Sequence, residues 1–488
     1  MADNNYERRS IFGGFIWKFL ERITSQGITF LITIILARLL MPEQYGVIAM
    51  VNVFIALANV LIHSGLNTAL IQKKKADDLD FSTILYCNIV LSSLLYALLY
   101  VSAPYIESFY NMVGLAKVTR VYGLTLILGA YSSIQLAYVS RNMIFRKTFY
   151  ASTVATVLSG LIGIWLAYHD FGVWALVAQY LLATFFSIIM LSFIIDWHPK
   201  LMFSWNRASQ LMQYGVKVMS AAFIGEVFIE LRQLLIGKFY SAADLAQYNR
   251  GKTFPALISS NIETTIGTVL FPAMSNHGEN VQEVKQMTRR SMKTSSFLMF
   301  FLFSLLAVIA HPLVQLLLTD KWLDCVPYMQ LMCVSGMVTI ISTANMQAIK
   351  AIGRSDVVLK LELYKKPVFL ILLVIAVKIS VLAVAITLPL YAIYGTLVNM
   401  SPNKKLLNYS YREQLKDILP QLLLSILMAA CVIPFGLIPL SPFIILVLQI
   451  IVGVSVYFFG AKVLKIDSLQ YCKNTVFAVV RQKGNQNH

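Results

Sequence analysis

The chain has 488 residues, of which 58% are hydrophobic and only 13% charged, and a formal net charge of +17; its mean hydropathy is +0.70. A soluble protein carries roughly a quarter charged residues, so an array of soluble domains is excluded and the apolar surface must go into a bilayer. The basic balance raises nucleic acid as a partner, but the placement of the charge excludes it.

A hydrocarbon core of about 30 Å takes roughly 20 helical residues. Apolar runs of that length occur at 15–40, 46–71, 81–104, 115–140, 150–169, 172–195, 208–240, 243–273, 292–318, 323–349, 356–377, 380–400, 417–437 and 441–463. They predict an all-α polytopic membrane protein of about 14 transmembrane helices. The pair at 356–377 and 380–400 also reads as one re-entrant unit, which would leave twelve. Met1 to Ser10 is polar, and the first apolar run lacks a small-residue cleavage site, so no cleavable signal peptide is expected. With the N-terminus in the cytoplasm, 28 of the 40 Lys and Arg fall in cytoplasmic segments and 4 (Lys117, Arg120, Lys321, Lys378) outside. That bias orients the helices with both termini cytoplasmic. The charge is topological, and no nucleic acid is needed to explain it.

A repeat is visible at an offset of 200 residues. Leu36-Ala37-Arg38-Leu39-Leu40 stands before the second span as Ile236-Gly237-Lys238-Phe239-Tyr240 stands before the eighth, and Ala69-Leu70-Ile71 corresponds to Val269-Leu270-Phe271. Two parallel copies of six spans predict a six-helix lobe at 1–200 and another at 201–403. Two additional helices at 404–465 and a cytoplasmic tail at 466–488 follow. Transporters place substrate sites between such halves.

Apart from those counted with the loops and helix ends on either side, eight cations fall within predicted spans: Lys18, Arg22, Arg38, Lys217, Arg232, Lys238, Arg250 and Lys252. Each costs at least about 2.5–3.5 kcal/mol at mid-bilayer, so each faces a bundle interior or water, or reaches back to an interface. Arg38 and Lys238 stand at outer helix ends, where reaching the interface suffices. Lys18 and Arg22 share one helix face. In the eighth span Tyr248, Arg250 and Lys252 precede Pro255, which removes a helix hydrogen bond. That combination reads as a movable, anion-binding helix, or as anchoring at the outer interface. Glu226 and Glu230, one turn apart, and Glu263 read as partners balancing the cations or as a proton- or sodium-coupling site. His63 reads as a packing or portal residue.

Other patterns carry no chemistry. Gly251-Lys252-Thr253 copies the end of a phosphate loop, but Ala246 stands where its first glycine belongs and no strand precedes it. Asp78-Leu79-Asp80 reads as a solvated loop beside three lysines. The five cysteines and six histidines have no metal spacing, so no metal and no cofactor are expected.

Leu36-Ala37-Arg38-Leu39-Leu40-Met41-Pro42-Glu43-Gln44-Tyr45-Gly46 resembles the first helix-turn of the polysaccharide transporter family, the Wzx-type flippases. Leu234-Leu235-Ile236-Gly237-Lys238-Phe239, Leu245-Ala246-Gln247-Tyr248-Asn249-Arg250 and Phe271-Pro272-Ala273-Met274-Ser275 resemble its seventh and eighth helices. Ala348-Ile349-Lys350-Ala351-Ile352-Gly353-Arg354-Ser355-Asp356 resembles the tenth helix and its loop. The likeness runs over residues 10 to 465. It implies the multidrug/oligosaccharidyl-lipid/polysaccharide exporter superfamily, with two six-helix lobes around a V-shaped cavity. It implies a flippase that moves an undecaprenyl-pyrophosphate-linked oligosaccharide from the inner to the outer leaflet of the bacterial inner membrane, for lipopolysaccharide or exopolysaccharide biosynthesis. Related peptidoglycan-precursor flippases carry cavity arginines near the middle of the first helix; here Ile32 stands where one would be sought.

The expected mechanism is alternating access with a cationic cavity. Arg22, Arg250 and Lys252 are the first candidates for headgroup contact, followed by Lys217, Arg232 and Lys18. Arginine suits phosphate by its bidentate geometry. Expected partners are the lipid-linked oligosaccharide, a coupling ion (H+ or Na+), and a polysaccharide polymerase with its export machinery. A small-molecule efflux antiporter of the same superfamily is the first rival, disfavoured because cations outnumber acids within the spans. A membrane-bound polymerase or acyltransferase is the second. It is disfavoured by outer loops of about a dozen residues, too short for a catalytic domain, and no enzymatic activity is expected.

Overall fold

A computed structural model describes residues 24, 26–73, 76–265, 270–278 and 280–470, except the side chains of 145–147, 214, 261–265 and 271. All regular structure among these residues is helical. In chain order the helices are α1 (Gln26–Leu39), α2 (Pro42–His63), α3 (Leu66–Gln72), α4 (Asp78–Tyr110), α5 (Leu115–Tyr122) and α6 (Thr125–Arg141). There follow α7 (Phe145–Tyr168), α8 (Val173–Ile194), α9 (Trp205–Phe239), α10 (Ala242–Thr265), α11 (Phe271–Ser275) and α12 (Val281–Val308). The remainder are α13 (Ala310–Leu318), α14 (Val326–Ala351), α15 (Ser355–Ala376), α16 (Val381–Leu406), α17 (Tyr411–Val432) and α18 (Pro442–Val463).

A helix stands at each predicted apolar run, but among the described residues ten are long and apolar enough to cross a membrane. The four places that fall short are α1, whose described part is short, and α9, α10 and α15. Of these last three, α9 and α10 carry charges that the sequence singles out. The run at 115–140 is divided between α5 and α6 at Gly123, and the run at 292–318 between α12 and α13 at Ile309. The re-entrant alternative for 356–400 gives way to two separate helices, α15 of 22 residues and α16 of 26.

Helix starts follow local chemistry. Pro42 opens α2, where its missing N–H costs nothing. Ser410 and Glu413 cap α17 reciprocally: Ser410 N–H donates to Glu413 Oε2 at 3.0 Å, and Glu413 N–H to Ser410 Oγ at 3.3 Å. Asp77 and Asp80 cap α4 in the same manner. The expectation of a solvated loop at Asp78-Leu79-Asp80 is therefore corrected. Asp78 keeps 47% of its side-chain exposure, but Asp80 keeps none.

The chain divides into two compact units, Met1–Ala246 and Gln247–His488. The lobe boundary expected after residue 200 lies between α8 and α9; the first unit continues past it because α9 packs along α2, α3 and α4. Within this unit Phe81, Tyr138 and Trp197 stack together in the core. In the second unit α14 and α16 are joined by polar pairs one turn apart. Asn399 donates to Ser342 Oγ at 2.6 Å and Asn403 to Asn345 Oδ1 at 2.7 Å. Such bonds hold helices together where apolar surface already faces lipid and gives little net attraction. The extra helices α17 and α18 pack on α12, and Tyr457 Oη donates to the Phe297 carbonyl at 2.6 Å.

Candidate functional site

At 35 residues, α9 is about 52 Å long at the usual rise, far more than the bilayer core requires. On a helical wheel Lys217 and Arg232 lie about 60° apart, while Glu226 and Glu230 lie on the opposite face. The cationic face presents Lys217 as an exposed side chain, and Arg232 is half-buried. On the acidic face Glu230 is 7% exposed and accepts from Gln233 Nε2 at 2.7 Å; Glu226 is half-buried. One helix thus carries an exposed lysine and a carboxylate that is largely removed from water.

Both ends of α9 are fastened within the first unit. At its start Arg207 donates to both oxygens of Asp77, at 2.7 and 2.8 Å, and stands 3.0 Å from Asp80. Lys73 reaches Asp80 at 2.6 Å and Lys200 reaches Asp78 at 2.5 Å. Partial burial acts to raise the Asp77 carboxyl, but hydrogen bonds from Arg207 and from the Asp80 backbone hold it below the usual carboxylate range. Two turns along, Gly215 meets Gly65 so closely that an added Cβ would stand 2.9–3.1 Å from the opposing backbone. At the far end the Lys238 ammonium donates to the Phe109 carbonyl and lies 4.6 Å from the Phe109 ring centre. It thereby holds the C-terminus of α4, a more specific role than reaching an interface. Just beyond, a Cβ on Gly46 would stand 1.9 Å from the Ala242 carbonyl oxygen.

In the second unit Arg250 is 6% exposed and its guanidinium lies 4.5 Å from the centre of the Trp322 ring, itself fully buried. Around it Gln247 donates to the Lys321 carbonyl at 2.7 Å, Tyr248 faces Tyr328, and Gly251 abuts Tyr328 and Met329. These contacts fix this part of α10 against the residues around the start of α14; they are neither the ligand site nor the outer-interface anchoring that the sequence offered. Lys252, by contrast, is exposed, and α10 runs on through Pro255. Arg22 and Lys18 lie outside the described residues; Glu263 lies in α10, its side chain outside them. The described candidates stand on two helices. They fall into an α9 group of Lys217, Glu226, Glu230 and Arg232, and an α10 group of Arg250 and Lys252.

One buried cation escaped the sequence reading. Lys365, assigned to a cytoplasmic segment, lies ten residues into α15 and is 7% exposed. It donates to Glu362 at 2.6 Å and packs beside Gly395 of α16. The signal was present in Arg354-Ser355-Asp356, a helix start that sets Lys365 about 15 Å along α15. The second unit also holds an apolar cavity of about 980 Å³ walled by Val308, Leu331, Val334, Leu382 and Ile386, with Gln449 at its side. Among the described residues no group of His, Cys, Asp or Glu is arranged to hold a metal ion.

Residues 35–327, three-fifths of the chain, match the family described as polysaccharide biosynthesis protein. The chain belongs to this family. The matched region runs from the end of α1 to the start of α14 and includes all of α9 and α10. The chain is 22% identical over 342 residues to the succinoglycan biosynthesis transport protein ExoT of Rhizobium meliloti (strain 1021), covering 70% of this chain and 69% of that protein. It is 21% identical over 414 residues to the lipopolysaccharide biosynthesis protein WzxC of Escherichia coli (strain K12), covering 83% of each. Its fold is that of the lipid II flippase MurJ in an inward closed conformation, with a TM-score of 0.73 at 15% identity, over 93% of this chain and 99% of that one.

Proposed function

We propose that the protein is a flippase that moves a polyprenyl-pyrophosphate-linked oligosaccharide from the inner to the outer leaflet of the cytoplasmic membrane, for surface polysaccharide synthesis. The observation that carries this reading is the match over 35–327. It joins family membership to the two helices, α9 and α10, whose charges make them too polar for simple spans. The relatives in succinoglycan and lipopolysaccharide biosynthesis support the same class of cargo.

The chemistry follows from the problem. A pyrophosphate headgroup cannot cross hydrocarbon bare, and cations in a low-dielectric surrounding bind it far more strongly than they would in water. Lys217, Arg232 and Lys252 are the proposed headgroup contacts, with Arg22 and Lys18 of the first span. Arg250 holds α10 in position. The apolar cavity of about 980 Å³ gives part of the isoprenoid chain a place beside protein. Glu230 is the proposed ion-coupling group, for H+ or Na+, because it is a carboxylate largely removed from water inside a charged helix; Glu226 and Glu263 stand behind it. Alternating access would release the two ends of α9 in turn. The Arg207–Asp77–Asp80 cluster lies at one end, and Lys238 on α4 with the Gly46–Ala242 contact at the other. In this reading a polymerase and export machinery act on the delivered cargo, and both termini are cytoplasmic.

The test is a depletion strain analysed by extraction and mass spectrometry of lipid-linked glycans. The prediction is that lipid-linked oligosaccharide accumulates and surface polymer falls. Lys217→Gln with Lys252→Gln, both at exposed side chains, should reach the membrane at normal levels and leave export at least about tenfold lower, since losing one charge-assisted hydrogen bond costs about 1.5–3 kcal/mol. Full complementation by that double variant would remove the site assignment, and depletion without accumulation would remove the function.

A further inference from the structure

The second unit carries a small polar cavity that translocation, as proposed, does not use. It lies on the first turns of α12, lined by Gln286, Arg289, Arg290, Lys293 and Thr294, and its far wall is Asp467 and Ser468, just after α18; its volume is about 360 Å³. The cationic wall is firmly set. Arg289 donates through Nε and Nη2 to the two oxygens of Asp417 at 2.7 and 2.8 Å. Lys293 stands 3.3 Å from the same carboxylate, and Tyr409 Oη donates to it at 2.8 Å. Asp417 brings one negative charge to the two cations it binds, Arg289 and Lys293, so this pair keeps a net positive charge. Across the cavity Asp467 presents an exposed carboxylate. Beside that wall, the end of α18 exposes Phe459, Val463 and Leu464, an apolar flank suited to acyl chains.

We propose that this cavity seats the headgroup of a zwitterionic aminophospholipid. Its phosphate lies toward Arg289, Arg290 and Lys293, its ammonium toward Asp467, and its chains along the end of α18. A cavity of this size admits a headgroup and leaves the chains outside. The two walls argue for the zwitterion over a simple anion: Asp467 repels a lone phosphate or an acidic headgroup, but it completes an ammonium–phosphate pair. Cationic pockets between helices on the cytoplasmic side are the common setting for lipid headgroups, and the Lys/Arg bias assigns the start of α12 to that side. The cavity shares no residue with the proposed headgroup contacts, so its test stands or falls independently of the flippase reading.

The full chain is placed in nanodiscs of equal phosphatidylethanolamine and phosphatidylglycerol, extracted in mild detergent, and the retained lipid is quantified by native mass spectrometry. Wild type should retain phosphatidylethanolamine in preference. Asp467→Asn should lower that preference by up to about fivefold, the value of one part-exposed ion pair, while Asp467→Glu keeps it. Arg290→Gln should lower retention of both lipids, at unchanged thermal unfolding. Equal retention of the two lipids by wild type, an unchanged ratio in Asp467→Asn, or displacement of the lipid by inorganic phosphate would each overturn the assignment.

Discussion

Arg250 shows how far a charge can be read without its surroundings. In the sequence it is a cation inside an apolar run, which is costly enough to suggest a ligand; in the structure its guanidinium faces Trp322 at 4.5 Å. A cation on a desolvated indole face contributes about 2 kcal/mol. Arg250→Ala should therefore lower the unfolding temperature in detergent, with Arg250→Lys keeping part of the loss back. An unchanged unfolding temperature with transport abolished would return Arg250 to the headgroup. Gly46 gives a second residue-scale prediction. A Cβ there would stand 1.9 Å from the Ala242 carbonyl oxygen, so Gly46→Val should prevent closure at that end of α9, seen as protease sensitivity after Tyr240. The cationic character of α9 and the acids on it were legible from residue type alone. The partners were not: Trp322 lies 72 residues from Arg250, and no local pattern announces that contact.

At the scale of elements, the sequence reveals helix starts well and depth poorly. Pro42, Ser410 with Glu413, and Asp77 with Asp80 are starting signals whose chemistry is local, and the structure uses each one. The aspartates at 78 and 80 were read as loop because the lysines beside them suggested water; instead Lys73, with Lys200 and Arg207 from farther along the chain, neutralises the start of α4. Lys365 was missed for the converse reason: it was counted with the cytoplasmic cations before it, although the predicted run 356–377 already contains it. The cluster on Asp77 has a defined pH response. Its folded pKa lies below the unfolded value of about 3.9, so its contribution is complete above that value and is lost as pH falls through the folded pKa. The contact from Arg207 should hold at neutral pH and loosen only in strong acid. A titration that takes place only in strong acid cannot sense a proton gradient near neutrality, so Asp77 is not a candidate for the proposed ion coupling. Glu230→Gln should flatten the pH dependence of transport, whereas Asp77→Asn should leave its midpoint in place. Arg207→Gln should speed hydrogen exchange at the start of α4, residues 78–81; unaltered exchange there would show that the cluster does not hold the helix.

For the whole molecule, hydropathy and spacing carried the fold class because a bilayer imposes one simple rule on every span. The same rule explains where the count became uncertain. α9, α10 and α15 are too charged to satisfy it, and among the described residues they are the helices that hold the candidate chemistry. The match to the polysaccharide biosynthesis protein family spans α9 and α10, and the cargo proposed for them carries phosphate. The central claim is the movement of that cargo between leaflets, and reconstitution reads it directly. Purified protein in proteoliposomes that hold a polyprenyl-pyrophosphate oligosaccharide would be exposed to an external glycosidase that cannot enter the vesicle. The account predicts that the inner-leaflet fraction becomes cleavable with time once the protein is present, and more slowly in the Lys217→Gln, Lys252→Gln double variant. A cleavable fraction that stays at the level of protein-free vesicles would contradict it.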